Sequence, residues 1–98
     1  MRLENWAVVI KDPYVAPELQ TPCLAGEVYG SEKFADGTSI TTSGIVGAEG
    51  NNTILTHSGS RYELGGIDPE YGKRFPEAKV HLIETAKILK VRRDALLN

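Results

Sequence analysis

Hydroxyl side chains crowd one stretch of this chain. Thr41, Thr42 and Ser43 are consecutive, and His57, Ser58 and Ser60 follow soon after. A histidine among serines is the raw material of nucleophilic catalysis. There the imidazole takes a proton from a hydroxyl, and a third, acidic group holds the imidazole in place. The value of such a set depends on which side chains share a face, so the turns of residues 36–64 decide the matter.

Asp36-Gly37 is a two-residue hairpin signal, because a type I′ turn needs positive φ at both central positions. It pairs Ala35 with Thr38 and Phe34 with Ser39, and opens a strand over 38–48. Gly50-Asn51 is read as the second turn, setting Ala48 opposite Thr53 and Val46 opposite Leu55. Ser58-Gly59 is the third, setting His57 opposite Ser60 and Leu55 opposite Tyr62. This register places Val46, Leu55 and Tyr62 in one apolar row, with Gly44, His57 and Ser60 in the next. A slip of one residue would exchange the faces, and Gly50-Asn51-Asn52 is where it would enter.

In that register no acid shares the row of His57, since Glu63 falls on the opposite face. The catalytic reading therefore lacks its orienting group. What remains is a patch of His57, Ser60, Thr42 and Tyr62 able to bind a small ligand. Metal binding has less support: His57 and His81 lie on different elements and Cys23 is alone, so no paired-ligand spacing exists. No phosphate loop or other cofactor motif is present, and no cofactor is expected.

The elements that position the patch follow from pattern. Trp6, Val8 and Ile10 alternate with Ala7 and Val9, which reads as a short strand apolar on both faces. Lys11-Asp12-Pro13 ends it, and Pro13, Pro17 and Pro22 make 13–22 an extended loop. Residues 23–30 form a second strand, with Gly26 marking a bend or a close backbone contact. Asp68-Pro69-Glu70 is a helix start: an N-cap carboxylate, a proline at the first helical position, then an acid at the positive dipole end. Gly72 and Pro76 keep that helix short, and a longer one runs from Pro76 to about residue 96. Leu82, Ala86, Leu89 and Leu96 make its main apolar stripe. Ile88, Val91 and Ala95 make a second, narrower one.

The expected fold is α+β. A curved, mostly antiparallel sheet or partly open small β-barrel of about five strands carries a C-terminal helix. One domain spans residues 1–98, strand-rich over 1–66 and helical over 67–98, which suits a 98-residue chain. Net charge is −2, too small to demand a polyanionic partner. Its distribution is uneven. Residues 73–98 carry seven basic and three acidic groups, while residues 1–72 carry four and ten. The simplest consequence is attraction between the two halves within the fold. The single cysteine allows no internal disulfide, so packing must supply the stability, as suits a cytoplasmic protein. No signal-peptide pattern or membrane-length apolar run is present.

The glycine and turn pattern Leu24-x-Gly26-x-Val28-x-Gly30, then Phe34-x-Asp36-Gly37-Thr38, Thr56-x-Ser58-Gly59-Ser60-x-Tyr62-x-Leu64-Gly65 and Asp68-Pro69-Glu70-Tyr71, resembles short bacterial proteins of uncharacterised activity. Such proteins travel as phage or integron-cassette cargo. The resemblance covers residues 24–71 and implies no catalytic or binding residue.

Three functional expectations follow. The first is a non-enzymatic binding or interaction module, homodimeric through Leu89, Val91 and Leu96, since two apolar stripes exceed what one sheet face needs. The second is nucleic-acid association through Lys87, Lys90, Arg92 and Arg93. The third is a small-ligand binder or enzyme with its pocket near His57.

Overall fold

A computed structural model describes residues 1–10, 14 and 21–97, without the side chains of Arg93, Asp94, Leu96 and Leu97. The extended loop expected over 13–22 therefore lies mostly outside the described residues, and Pro22 itself opens a strand. Among the described residues six strands and two helices follow in order: β1 (Arg2–Ile10), β2 (Pro22–Tyr29), β3 (Thr38–Thr41), β4 (Ile45–Glu49), β5 (Thr53–Thr56), β6 (Arg61–Leu64), α1 (Pro69–Arg74) and α2 (Ala78–Leu97).

The strands form one mixed sheet in the order β3-β2-β1-β6-β5-β4. All neighbours are antiparallel except β1 and β6, which run parallel. Following these directions round the sheet, β3 and β4 point the same way although they sit at opposite ends of the order. Only residues 42–44 separate them. They are thus two halves of one bent strand, the first paired with β2 and the second with β5. Strands that pass between sheet segments at a bend make the corners of curled sheets. Here the corner is bonded on both sides. The Thr42 amide donates to the Leu24 carbonyl at 2.8 Å, and the His57 amide donates to the Gly44 carbonyl at 2.8 Å. No ladder joins β3 to β4, so the sheet is not a closed barrel. The expected strand of 38–48 is split at its corner, giving six strands among the described residues rather than about five.

Both hairpin registers of the second meander differ from expectation by one residue. Ala48 faces Ile54 and Glu49 faces Thr53. Ile54 faces Tyr62 and Leu55 faces Arg61. The loops hold three residues each, not two. In the second, the Gly59 amide donates to the Thr56 carbonyl, and Gly59 takes a φ of 89°. A turn closed by a positive-φ glycine is the common three-residue hairpin loop. The Asp36-Gly37 turn forms, with Thr38 N–H on the Ala35 carbonyl at 3.1 Å. Only Gly37 has positive φ, which fits a type II turn rather than I′. The residues it brings together are Val28 and Thr38, so Phe34 is loop, not strand.

The slip moves the core. Ile54, Tyr62 and Leu64 are buried, and they join Leu3, Trp6, Leu24, Val28, Ile45 and Ala48 in one cluster. Leu55 is half-buried, and Arg61 and Glu63 are exposed. Strand β1 carries a bulge between Glu4 and Ala7, with Asn5 at a φ of 51°. The bulge swings Trp6 fully into the core. There its indole N–H donates to the Gly65 carbonyl at 3.1 Å. Glu4 accepts from the Gly66 amide at 2.8 Å, so the bulge also fastens the segment leading to the helices.

Helix α1 begins as its sequence indicates. Asp68 Oδ1 accepts from the Tyr71 amide at 2.9 Å, with Pro69 opening the helix. Tyr71 lies between Trp6 and Phe75, with ring centroids 6.3 and 4.9 Å away. Helix α2 packs along β4 and sends Ala78, Leu82, Ile83 and Ala86 into the core. A Cβ at Gly47 would stand 3.0 Å from that of Lys90, so this glycine sets how closely helix and strand approach. Leu89 is half-buried, while Ile88 and Val91 are exposed.

Candidate functional site

The corner at residues 42–44 organises the hydroxyls. A strand that turns there cannot present every carbonyl to its neighbour. Thr42 compensates with its side chain: its Oγ1 accepts from the Leu24 amide at 3.0 Å and donates to the Ser43 carbonyl at 2.8 Å. Thr42 is buried, and no buried side-chain oxygen or nitrogen among the described residues lacks a partner.

The corner then meets the three-residue loop of 57–59. Ser43 Oγ donates to Ser58 Oγ at 3.1 Å and accepts from the Ser58 amide at the same distance. Ser58 Oγ also lies 3.3 Å from Thr56 Oγ1 and 3.4 Å from Ser60 Oγ. Four hydroxyls thus converge on one side of the loop, linked through Ser58. A three-residue loop makes this possible, because Thr56, Ser58 and Ser60 then project to the same side. The same geometry sends His57 the other way, where it is exposed.

A cleft of about 530 Å³ opens beside these hydroxyls. Thr41, Thr42, Ser43, Ser58, Ser60 and Tyr62 form one wall, and the β2–β3 loop supplies Ser31, Glu32, Lys33 and Phe34. That loop is set by its own bonds. Ser31 Oγ accepts from the amides of Lys33 and Phe34, at 3.0 and 3.2 Å, and Asp36 Oδ1 accepts from the Gly30 amide at 3.0 Å. The Lys33 ammonium lies 5.7 Å from the centroid of the Phe34 ring, which stands at the rim.

Of the residues expected to form a site, Thr42, Ser60 and Tyr62 line this one cleft and His57 does not. Ser43, Ser58 and the segment from Ser31 to Phe34 were the part missed. The density of hydroxyls at 41–43 and 56–60 was the available signal for the first two. Nothing in the pattern brought residues 31–34 beside them.

The chemistry available is hydrogen bonding. Hydroxyls both donate and accept, but activating one as a nucleophile takes an adjacent base. None of the bonds of this cluster reaches a histidine or carboxylate. Among the described residues no group of three His, Cys, Asp or Glu side chains could hold a metal ion.

The basic residues of α2 lie elsewhere. Lys87 and Arg92 are exposed, Lys90 covers Gly47 with its stem, and the side chain of Arg93 lies outside the described residues. Phe75 and Tyr71 pack against one another with their rings tilted by 46°. Of the residues expected at an interface, Val91 is exposed, Leu89 is half-buried, and the side chain of Leu96 lies outside the described residues. No described helix is long and apolar enough to cross a membrane.

Comparison with protein-family models, with curated proteins and with solved structures finds no match to this chain.

Proposed function

We propose that this chain is a non-enzymatic binding module that takes a small, uncharged, hydroxyl-rich molecule, of the sugar or polyol class, in the cleft at the strand corner. The carrying observation is the row of Ser43, Ser58 and Ser60 hydroxyls lining the cleft, linked through Ser58 and backed by the buried Thr56, with no base bonded to them. Clefts of a few hundred cubic ångströms are the usual size for small ligands. The hydroxyl groups of a polyol can replace water at such a wall because each side donates and accepts. Glu32 and Lys33, of opposite charge, both line the same cleft. Phe34 offers a flat apolar surface suited to the carbon face of a sugar ring.

The test is an amide-resolved NMR titration of the wild type with neutral monosaccharides and polyols, with inorganic phosphate and a diamine as charged controls. Shifts of Ser43, Ser58 and Ser60 with the neutral compounds only are expected. Ser58→Ala is expected to weaken binding about tenfold, the loss of roughly 1.4 kcal/mol of hydrogen bonding. His57→Ala is expected to leave it unchanged. Absence of shifts with every neutral compound at tens of millimolar, or loss of binding in His57→Ala with Ser58→Ala unaffected, would refute the reading.

A further inference from the structure

The turn between β2 and β3 carries a reaction of its own. Asp36-Gly37 is the only place in the chain where an aspartate or asparagine precedes glycine. At such a link no side chain shields the amide nitrogen that follows the carboxyl group. That nitrogen can attack the side-chain carboxyl carbon of Asp36. A C–N bond forms, and the amide proton leaves with the carboxyl hydroxyl as water. The cyclic succinimide then takes one water back. Opening at the side-chain carbonyl restores aspartate. Opening at the main-chain carbonyl leaves the chain running through the side-chain carboxyl carbon, as isoaspartate. One water leaves and one enters, so no other reactant is needed.

Both residues are exposed, so solvent reaches the link. The fold nevertheless restrains both reacting groups. The Gly37 amide donates to the Val28 carbonyl at 2.8 Å, which holds the proton that must leave. The Gly30 amide donates to Asp36 Oδ1 at 3.0 Å, which anchors the carboxylate. Thr38 fastens the turn again: its amide and its Oγ1 both donate to the Ala35 carbonyl, at 3.1 and 2.6 Å. Ring closure has to swing the 36–37 peptide about the Asp36 Cα–C bond until its nitrogen meets the carboxyl carbon. These hydrogen bonds resist that swing.

We propose that Asp36 is a site of spontaneous isomerisation gated by this turn. The reaction proceeds from chains in which the turn has opened, and not from the closed hairpin. Loops and turns open locally at less cost than global unfolding. The product bears on the cleft. It adds one carbon to the backbone of the turn and moves the carboxylate off the Gly30 amide. That bond starts the loop that brings Ser31, Lys33 and Phe34 to the cleft wall. The inference does not depend on the ligand proposed for the cleft.

The full chain, incubated for weeks at mildly alkaline pH in heavy-oxygen water, tests it in native buffer and in guanidinium chloride. Every ring opening places one solvent oxygen on residue 36. Digestion in ordinary water and mass spectrometry of the peptide holding residue 36 therefore count the events. The native chain is expected to react about tenfold or more slower than the unfolded one. Thr38→Val keeps the β-branch and removes one hydrogen bond. Under native conditions it is expected to react about two- to tenfold faster than the wild type, the worth of that bond. Native chains that have isomerised are expected to show shifted amide NMR signals at Gly30, Lys33 and Phe34. A native rate equal to the unfolded rate overturns the proposal, as does a Thr38→Val rate no greater than that of the wild type. So do isoaspartate-containing chains with unchanged signals over 30–34, or the absence of heavy oxygen at residue 36 in both conditions.

Discussion

Thr42 offers the sharpest test of how the strand corner is held. Its Oγ1 takes the place of a strand carbonyl for the Leu24 amide, on the side of β2 that faces β3. Thr42→Val keeps the shape and the β-branch but removes the hydroxyl. The buried Leu24 amide then loses that acceptor, at a cost of about 1–3 kcal/mol. The Ser43 carbonyl loses a donor but is only partly buried, so its loss adds little. A destabilisation of about 2 kcal/mol is expected, which for a domain of this size lowers Tm by roughly 8–16 °C. Thr42→Ser provides the control. It keeps the hydroxyl and loses one methyl, about 1 kcal/mol. Urea unfolding followed by the fluorescence of Trp6, the single tryptophan and fully buried, reads both variants. The expected order is wild type, then Ser, then Val, with unchanged m-values. A valine variant within about 0.5 kcal/mol of wild type, or one more stable than the serine variant, would refute the role given to this hydroxyl.

Gly26→Ala tests the close approach of β2 to the β1 bulge. The new methyl would stand 2.8 Å from the Glu4 carbonyl oxygen and 2.9 Å from Leu3 Cγ. Overpacking of about 1–3 kcal/mol outweighs the roughly 0.4–1 kcal/mol gained by stiffening the unfolded chain, so chemical denaturation should show a net loss. Cys23 is 1% exposed and its thiol donates to the Thr21 carbonyl at 3.6 Å. It should resist a thiol reagent in native buffer and react at once in denaturant, as followed by mass spectrometry.

The sequence patterns that survived in the fold are those where one residue type does one thing. Asp68 and Pro69 start α1 because a carboxylate and a missing amide suit a helix N-terminus wherever it occurs. Trp6 lies in a strand, as its place at the head of the apolar run 6–10 indicates. The main stripe of α2 is buried at Leu82 and Ala86, and its second stripe is exposed. The failures came where glycine had two uses. Gly50 and Gly59 serve a three-residue loop as well as a two-residue one, and the difference of one residue exchanged Leu55 for Ile54 in the core. The same shift turns His57 away from the serines of the cleft. The corner at 42–44 has no local signature, because Thr42-Ser43-Gly44 bends only in response to partners on two other strands. The cleft depends on that corner and on a loop brought to it by β2, so only part of the candidate site could be read before the fold.

The bent strand has a further consequence for how the chain reaches this state. Strands β1, β2 and β3 pair in sequence order, as do β4, β5 and β6, so each set forms through shorter loop closures than the pairing between the two sets. Apart from the covalent corner, the seam between them is the parallel pairing of Arg2 with Glu63 and Leu3 with Leu64, drawn from opposite ends of the strand-rich region. Contacts between residues so far apart in sequence are slow to form, because closure entropy must be met before they contribute. The β1–β6 seam is thus expected to close last. Mutations at Leu64 should then change the unfolding rate more than the folding rate, while those within a meander, such as at Ile54, should act on folding.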